Sequence, residues 1–406
     1  MSKSSIADSL ASPLLFVSQL FSLFGTILFC YTFVLASRSR FLEKMFGGLD
    51  RVIKLHHIVG GISFVLLINH PILLAVEALP NYGLASKYLF LSSIFEYNVG
   101  VIAIYGMILL LLLTLVIKLP YDLWIKTHDT FGIVLLFACL HIFFISSDVS
   151  RYLPLRIWMF LNLGIGFYFY IYKVFLYKWF GPKYEYVVEK VVKTGDFIEV
   201  YMSHVNELLK YKSGQFAFVS FKQDGLTESH PFSFSSSPDE KFIRFTIKIL
   251  GDYTLKLKDL KVGTMAKVWG SYGRFYYNFF ENKDVACIAG GVGITPFVSL
   301  LKHEETRALT RNISLFYSAQ SESTAIYNKY FSGLEKSLNN FKYFPNYGEN
   351  MPRLTGKTIV DKVGSINNKL FFICGPTEMM HTISAQLKES GVKSNNIIFE
   401  DFNFKS

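Results

Sequence analysis

The sequence predicts a membrane α-helical bundle followed by a soluble module, an antiparallel β-barrel and then an α/β domain with a parallel sheet. Three observations predict it. Five long apolar runs fall before about residue 180, alternating strand patterns begin near residue 184, and strand–loop–helix repeats begin near residue 284. The expected domains are therefore 1–180, 181–282 and 283–406. A chain of 406 residues has room for two or three domains. With 51% hydrophobic and only 18% charged residues, it is too apolar for an ordinary soluble protein of that size.

The apolar runs cover approximately 13–36, 52–78, 97–118, 124–146 and 153–178. Crossing a hydrocarbon core takes about 20 helical residues, and each run supplies them. A buried soluble helix could explain one such run; five in succession point to a multi-pass membrane protein in contact with lipid. The flanking charges orient it. Arg38, Arg40, Lys44, Arg51, Lys54, Lys118, Lys126, Lys173, Lys178 and Lys183 fall on one side, against Lys3, Lys87, Arg151 and Arg156 on the other. By the positive-inside rule, the C-terminal module is expected in the cytoplasm, beneath the cell membrane.

The formal charge of +10 does not signal nucleic acid, because the basic residues are spread out and much of the excess flanks the apolar runs. Cys30, Cys139, Cys287 and Cys374 show no paired spacing, which argues against a disulfide scaffold or a zinc finger. The first apolar run is too long for a cleavable signal peptide and lacks a small-residue cleavage site.

Four histidines form a pattern. His56 and His70 lie 14 residues apart on the second run, and His128 and His141 lie 13 apart on the fourth. At about 1.5 Å per residue both separations are roughly 20 Å, and the two runs point the same way. His56 and His128 thus share one depth, His70 and His141 another. A lone intramembrane histidine is commonly satisfied by neighbouring helices. Two matched pairs point instead to axial ligation of two stacked b-type hemes. Thirteen residues do not return to the same face of an ideal helix, so the fourth run is expected to bend, to carry a π-bulge, or to present its histidines from different angles; Gly132 lies between them. His57 has no partner at its depth and reads as structural.

In the soluble half, YEYVVEKVVKTGDFIEVYMS, GQFAFVSF and FIRFTIKIL alternate as barrel strands. Later, DVACIAG, ISLFYSAQ and KLFFICG are strands of a parallel sheet. Gly290, Gly291, Gly293, Thr295 and Pro296 stand where one of these strands hands over to a helix, a place suited to a pyrophosphate. The motifs follow in order: His230-Pro231-Phe232-Ser233, then Lys248 with Gly251-Asp252-Tyr253-Thr254. The glycine turn comes next, then Cys374-Gly375-Pro376, and last an aromatic end containing Phe402.

Together these resemble the ferredoxin–NADP reductase family. The resemblance implies that His230, Pro231, Phe232 and Ser233 flank a flavin, and that Lys248, Gly251 and Thr254 hold the FAD pyrophosphate. It further implies that Gly290 to Pro296 and Cys374 to Pro376 border the nicotinamide nucleotide, with Cys374 and Phe402 at the reacting centre. Phe402 would stack on the isoalloxazine where nicotinamide must enter.

With both halves in view, residues 13–406 resemble the NADPH oxidase and ferric reductase superfamily, especially its short prokaryotic oxidases. The resemblance implies FAD, two heme b groups and NADPH or NADH as cofactors. It also implies electron transfer to an acceptor on the outer side. There are two departures. The family has six membrane helices and this chain shows five, so the histidine-bearing helices are second and fourth instead of third and fifth. The family's arginine after the second strand of the nucleotide-binding sheet is replaced by Ser318-Ala319-Gln320-Ser321, which leaves the nucleotide open; Arg353 is an alternative cation. Dioxygen, giving superoxide, and a ferric or cupric ion are both open as acceptors, as is a quinone or protein partner. The short connections at 79–96 and 147–152 favour a small acceptor. Oligomeric state is not legible in the sequence.

Overall fold

The computed structural model describes residues 12–177, 183–279, 281, 283–306 and 311–400. Phe402 lies outside the described residues, as do Lys3 and Lys178. The chain divides into two compact units, one of Met1–Phe46 with Arg51–Gly181, the other of Gly47–Asp50 with Pro182–Ser406.

The first unit is helical: α1 (Pro13–Leu35), α2 (Arg40–Phe46), α3 (Leu49–Glu77), α4 (Tyr82–Leu89), α5 (Phe95–Leu111), α6 (Tyr121–Asp129), α7 (Phe131–Phe144), α8 (Asp148–Arg151) and α9 (Leu153–Ile171). Among the described residues, five spans are long and apolar enough to cross a membrane: Pro13–Leu35, Leu49–Glu77, Phe95–Val116, Leu123–Phe144 and Leu153–Leu176. Pro13 opens α1 at the first helical position, where its missing N–H costs nothing. Phe29, Cys30, Met107, Phe131, Leu135 and Leu163 pack in the middle of the bundle. Phe24, Ile62, Val65, Leu109, Leu115 and Leu161 are exposed, as lipid-facing side chains should be. Polar groups inside the bundle bond to helix carbonyls, as with Ser63 Oγ donating to Gly25 O at 2.8 Å.

The third and fifth spans each end in a π-helical turn, Leu112–Val116 and Tyr172–Leu176. The fourth is interrupted at Thr130, between α6 and α7. There Thr130 N reaches Thr127 O at 3.2 Å and Ile133 N reaches Thr130 O at 2.8 Å. These three-residue steps tighten the helix. The fourth run is thus interrupted between His128 and His141, so the two histidines need not keep the phase of one ideal helix.

In the second unit, β1 (Tyr184–Thr194), β2 (Phe197–His204), β3 (Phe216–Phe221), β4 (His230–Ser233), β5 (Ile243–Lys248) and β6 (Met265–Tyr272) form one antiparallel sheet, ordered β4-β3-β6-β1-β2-β5. A bridge between Phe234 and Phe245 joins the two ends of that order, curling the sheet into a barrel. Tyr186, Val200, Val219, Phe221, Phe245 and Val268 fill it. The short α10 (Asp252–Lys256) lies between β5 and β6, and α11 (Phe275–Phe279) follows β6.

The parallel sheet follows, ordered β11-β10-β7-β8-β9, from β7 (Asp284–Gly290), β8 (Ile313–Ala319), β9 (Phe341–Tyr347), β10 (Lys369–Cys374) and β11 (Ile397–Phe399). Both faces are covered, so the inner strands β10, β7 and β8 are almost wholly buried and mostly apolar, while the edge strand β9 is part-exposed. Cys287 and Phe372 face one layer, with α12 (Thr295–Thr306) and α13 (Asn328–Ser337) supplying Phe297 and Phe331. Ile288 and Phe371 face the other, with α14 (Gly356–Val363) and α15 (Thr377–Glu389) supplying Ile359 and Ile383. The chain runs outward through β7, β8 and β9, then crosses back to β10. That leaves the topological switch point, where such sheets bind ligands, between the ends of β7 and β10.

Candidate cofactor sites

Two of the four membrane histidines meet ring to ring, and the other two line one cavity. His56 on α3 and His128 on α6 have ring centroids 6.0 Å apart. Imidazole–metal bonds of about 2 Å would bridge such a gap. His70 on α3 and His141 on α7 both line a cavity of about 860 Å³ within the bundle. Ligand pockets commonly hold about 300–1,000 Å³. Its walls are mostly apolar, with Leu67, Val101, Met107 and Val134 among them. His57 stands beside His56, ring centroids 5.7 Å apart.

Three of the four rings are held through Nδ1. His56 Nδ1 lies 3.0 Å from Thr32 O, His70 Nδ1 3.0 Å from Ser18 O, and His141 Nδ1 2.8 Å from Glu96 O. A carbonyl can only accept, so each Nδ1 carries the proton and each Nε2 keeps its lone pair for a metal. His128 differs. Its ring stacks on Trp124, centroids 5.3 Å apart and planes 7° from parallel, and its Nδ1 is 3.5 Å from Thr114 Oγ1.

This donor set suits heme. Among the described residues no group of three or more His, Cys, Asp or Glu is placed to hold a metal ion. What favours heme is the imidazoles themselves: Nε2 atoms left free at His56, His70 and His141 suit an iron already bound by four porphyrin nitrogens. Arg151, near the cavity wall, donates to Ser146 Oγ at 3.3 Å, and Arg156 lies 6.0 Å over the Phe143 ring.

In the barrel, β4 differs from its neighbours. All four residues, His230, Pro231, Phe232 and Ser233, are half-buried, whereas every residue of β3 is buried. The strand therefore offers a partly open aromatic strip that a flat ring could cover. His230 packs on Tyr253, centroids 3.7 Å apart, and its Nε2 lies 3.1 Å from Glu228 Oε2. Lys248 ends β5 opposite Phe197. Gly251 precedes the short α10 (Asp252–Lys256). Thr254 Oγ1 accepts from Leu250 N at 2.9 Å and Gly251 N at 3.0 Å, and donates to Gly251 O at 3.1 Å. Its hydroxyl thus ties the turn that presents the loop.

At the switch point, the two sequence-predicted loops interlock. A Cβ on Gly293 would stand 2.2 Å from Cys374 O and 2.7 Å from Gly375 Cα, so only glycine lets the two backbones pass this closely. Gly291, at φ +54°, has open space where its side chain would be. Thr295 Oγ1 donates to Val292 O at 2.9 Å, holding the turn, and Pro296 follows in the first turn of α12. Pro376 caps α15. Burial, then the Glu400 carboxylate, pushes the Cys374 thiol up and keeps it protonated. Glu400 accepts a hydrogen bond from Arg274 N.

The sequence did not mark Trp124, Thr114 or the carbonyl partners Ser18, Thr32 and Glu96, and it showed Tyr253 only as a member of the Gly251–Thr254 motif, with no sign of its packing on His230. Backbone acceptors leave no signature in residue identity. The Trp124 position, four before His128, was the one signal available.

Three family models match the chain in succession: a ferric reductase like transmembrane component over residues 21–139, an FAD-binding domain over 185–283 and an oxidoreductase NAD-binding domain over 287–385. A superoxide-generating NADPH oxidase heavy chain of Dictyostelium discoideum is 25% identical over 214 residues, 48% of this chain and 29% of its own. A flavohemoprotein of Bacillus cereus is 27% identical over 241 residues, 53% of this chain and 60% of its own. The chain therefore spans less than two thirds of these relatives. A flavohemoglobin structure from Malassezia yamatoensis superposes with TM-score 0.55 at 16% identity, covering 97% of each chain, a likeness of fold alone. An apolar five-span bundle joined to FAD-binding and NAD-binding domains places the chain in the NADPH oxidase and ferric reductase superfamily of membrane oxidoreductases.

Proposed function

We propose that this protein carries electrons from cytoplasmic NADH or NADPH across the cell membrane to dioxygen on the outer side, giving superoxide. The observation that carries the reading is the contact of His56 with His128, together with the one bundle cavity that His70 and His141 both line. FAD, when bound, would take a hydride from the nucleotide and release single electrons, which two b-type hemes would carry outward.

The chain's own residues would do the following. The half-buried strip of β4 receives the flavin ring, and Lys248 with the Gly251–Thr254 turn faces its phosphates. The interlocked Gly290–Pro296 and Cys374–Pro376 loops seat the nucleotide at the sheet's switch point. His56 and His128 hold the inner heme, His70 and His141 the outer one. If His70 and His141 both ligate the outer heme, that group would supply electron transfer to the acceptor and not a binding position for it. Lysine and arginine bias around the spans supports the orientation.

A second reading, an outward-facing ferric or cupric reductase, is supported by the description of the matching transmembrane family. The purified protein, loaded with FAD and heme and given nucleotide in air, separates the two. Cytochrome c reduction abolished by superoxide dismutase supports the oxidase. Reduction of a ferric chelate at undiminished rate without oxygen, and no superoxide with it, would contradict it.

A further inference from the structure

Three of the paired histidines share one device and the fourth does not. Thr32, Ser18 and Glu96 each give a backbone carbonyl to an Nδ1 at 2.8 to 3.0 Å; at His70 the Ser18 hydroxyl, which donates to His70 O, also stands 2.8 Å from Nδ1. At His128, among the described residues, the acceptor facing Nδ1 is the Thr114 hydroxyl, at 3.5 Å, the long limit of a hydrogen bond. That hydroxyl donates its own proton to Leu110 O at 2.7 Å, which leaves a lone pair to meet the imidazole.

The rest of the arrangement comes from the end of the third span. Ile117 N closes a five-residue step onto Leu112 O at 3.0 Å, and the helix stops at the π turn. The last carbonyls of a helix lack backbone partners. Thr114 O finds one in the indole N–H of Trp124, at 3.2 Å. The same indole lies flat on His128, planes 7° apart, while Phe131 meets the ring edge-on at 5.1 Å. The π turn thus fixes Trp124, and Trp124 fixes the plane of His128.

We infer that Trp124 and Thr114 are the positioning residues of His128, replacing by ring stacking and a weak hydroxyl acceptor the carbonyl that orients the other three histidines. The inference rests on the reading of His56 and His128 as an axial pair. It has an electronic consequence. An acceptor on Nδ1–H makes an imidazole a stronger donor to its metal, and that favours the oxidised state. The distant Thr114 hydroxyl gives His128 less of this help than its three counterparts receive, and removing it would take away the remainder.

The test uses the full-length, detergent-purified, heme-loaded protein, read by redox titration of the heme absorbance and by low-temperature electron paramagnetic resonance of the oxidised state. Trp124→Leu is expected to shift and broaden the low-spin signal of one heme and leave the other unchanged. Thr114→Val, nearly isosteric, is expected to raise the midpoint potential of that same heme, and Thr114→Ser to restore it. If Trp124→Leu fails to assemble, the threonine pair decides alone. Both variants holding full heme with the resonance and potentials of the unaltered protein would overturn the inference. His128→Leu separates the two layers: if it keeps both hemes, the axial reading itself is wrong, and the positioning claim falls with it.

Discussion

The Nδ1 atom of His141 lies 2.8 Å from the carbonyl oxygen of Glu96, on the neighbouring span. Gly100, one turn further along that span, makes the approach possible. A Cβ there would stand 2.8 Å from His141 Nδ1 and 2.9 Å from its Cε1. Gly100→Val should therefore turn the ring off its carbonyl. Loss of such an orienting partner typically costs about 10–100-fold in metal affinity. Heme titration into the variant should show one of two sites weakened to that extent, with the other unchanged.

Removing a ligand outright should be more severe. His70→Leu or His141→Leu is expected to leave one heme per chain in place of two, measured by extraction of heme from purified protein. Both residues line the same cavity, so either substitution should give the same remaining spectrum. Unchanged heme content in both variants would show that this pair holds no heme.

The nucleotide half makes a separate prediction. Gly293→Ala places a methyl 2.2 Å from Cys374 O, a backbone atom that cannot swing aside. Overpacking of this kind typically costs about 1–3 kcal/mol. The melting temperature should fall, and flavin reduction by NADH or NADPH should need more nucleotide, while heme content stays as it was.

Alkali should weaken the soluble unit. Burial pushes the phenols of Tyr211, Tyr253, Tyr317, Tyr327 and Tyr343 above the usual tyrosine range. The folded state therefore holds protons that the unfolded chain releases near about pH 10. Stability from these groups is present below that pH and is lost as the pH rises above it. Denaturant midpoints read from the soluble unit should fall through that range, and tyrosinate absorbance should rise with unfolding. Smooth titration of these tyrosines near about pH 10 in the folded protein would contradict their burial.

Much of this architecture is legible in the residues themselves. Five spans, a barrel and a parallel sheet follow from runs of apolar residues and from the change in period near residue 184. The histidine pairing follows from spacing and direction. Its difficulty, the 13-residue interval, is also visible there, and the interruption at Thr130 answers it. That interruption depends on two three-residue hydrogen-bond steps, which residue type alone does not announce. The carbonyls behind His56, His70 and His141 are invisible for the same reason, since every residue has one. The GGVGITP and CGP segments read as loops near a nucleotide. That Gly293 passes against Cys374 requires the adjacency of β7 and β10, a long-range pairing. Phe402 lies outside the described residues, so its stacking on a flavin stays a proposal.

A continuous path from nucleotide to flavin to heme in one chain underlies the proposed function. The visible spectrum of the purified protein with FAD probes it, taken under strict exclusion of oxygen before and after adding NADH or NADPH. The sharp bands of reduced low-spin b-type heme are expected after nucleotide is added, with both hemes reduced. Well-folded protein without heme, or bound hemes that stay oxidised while the flavin is fully reduced, would contradict such a path.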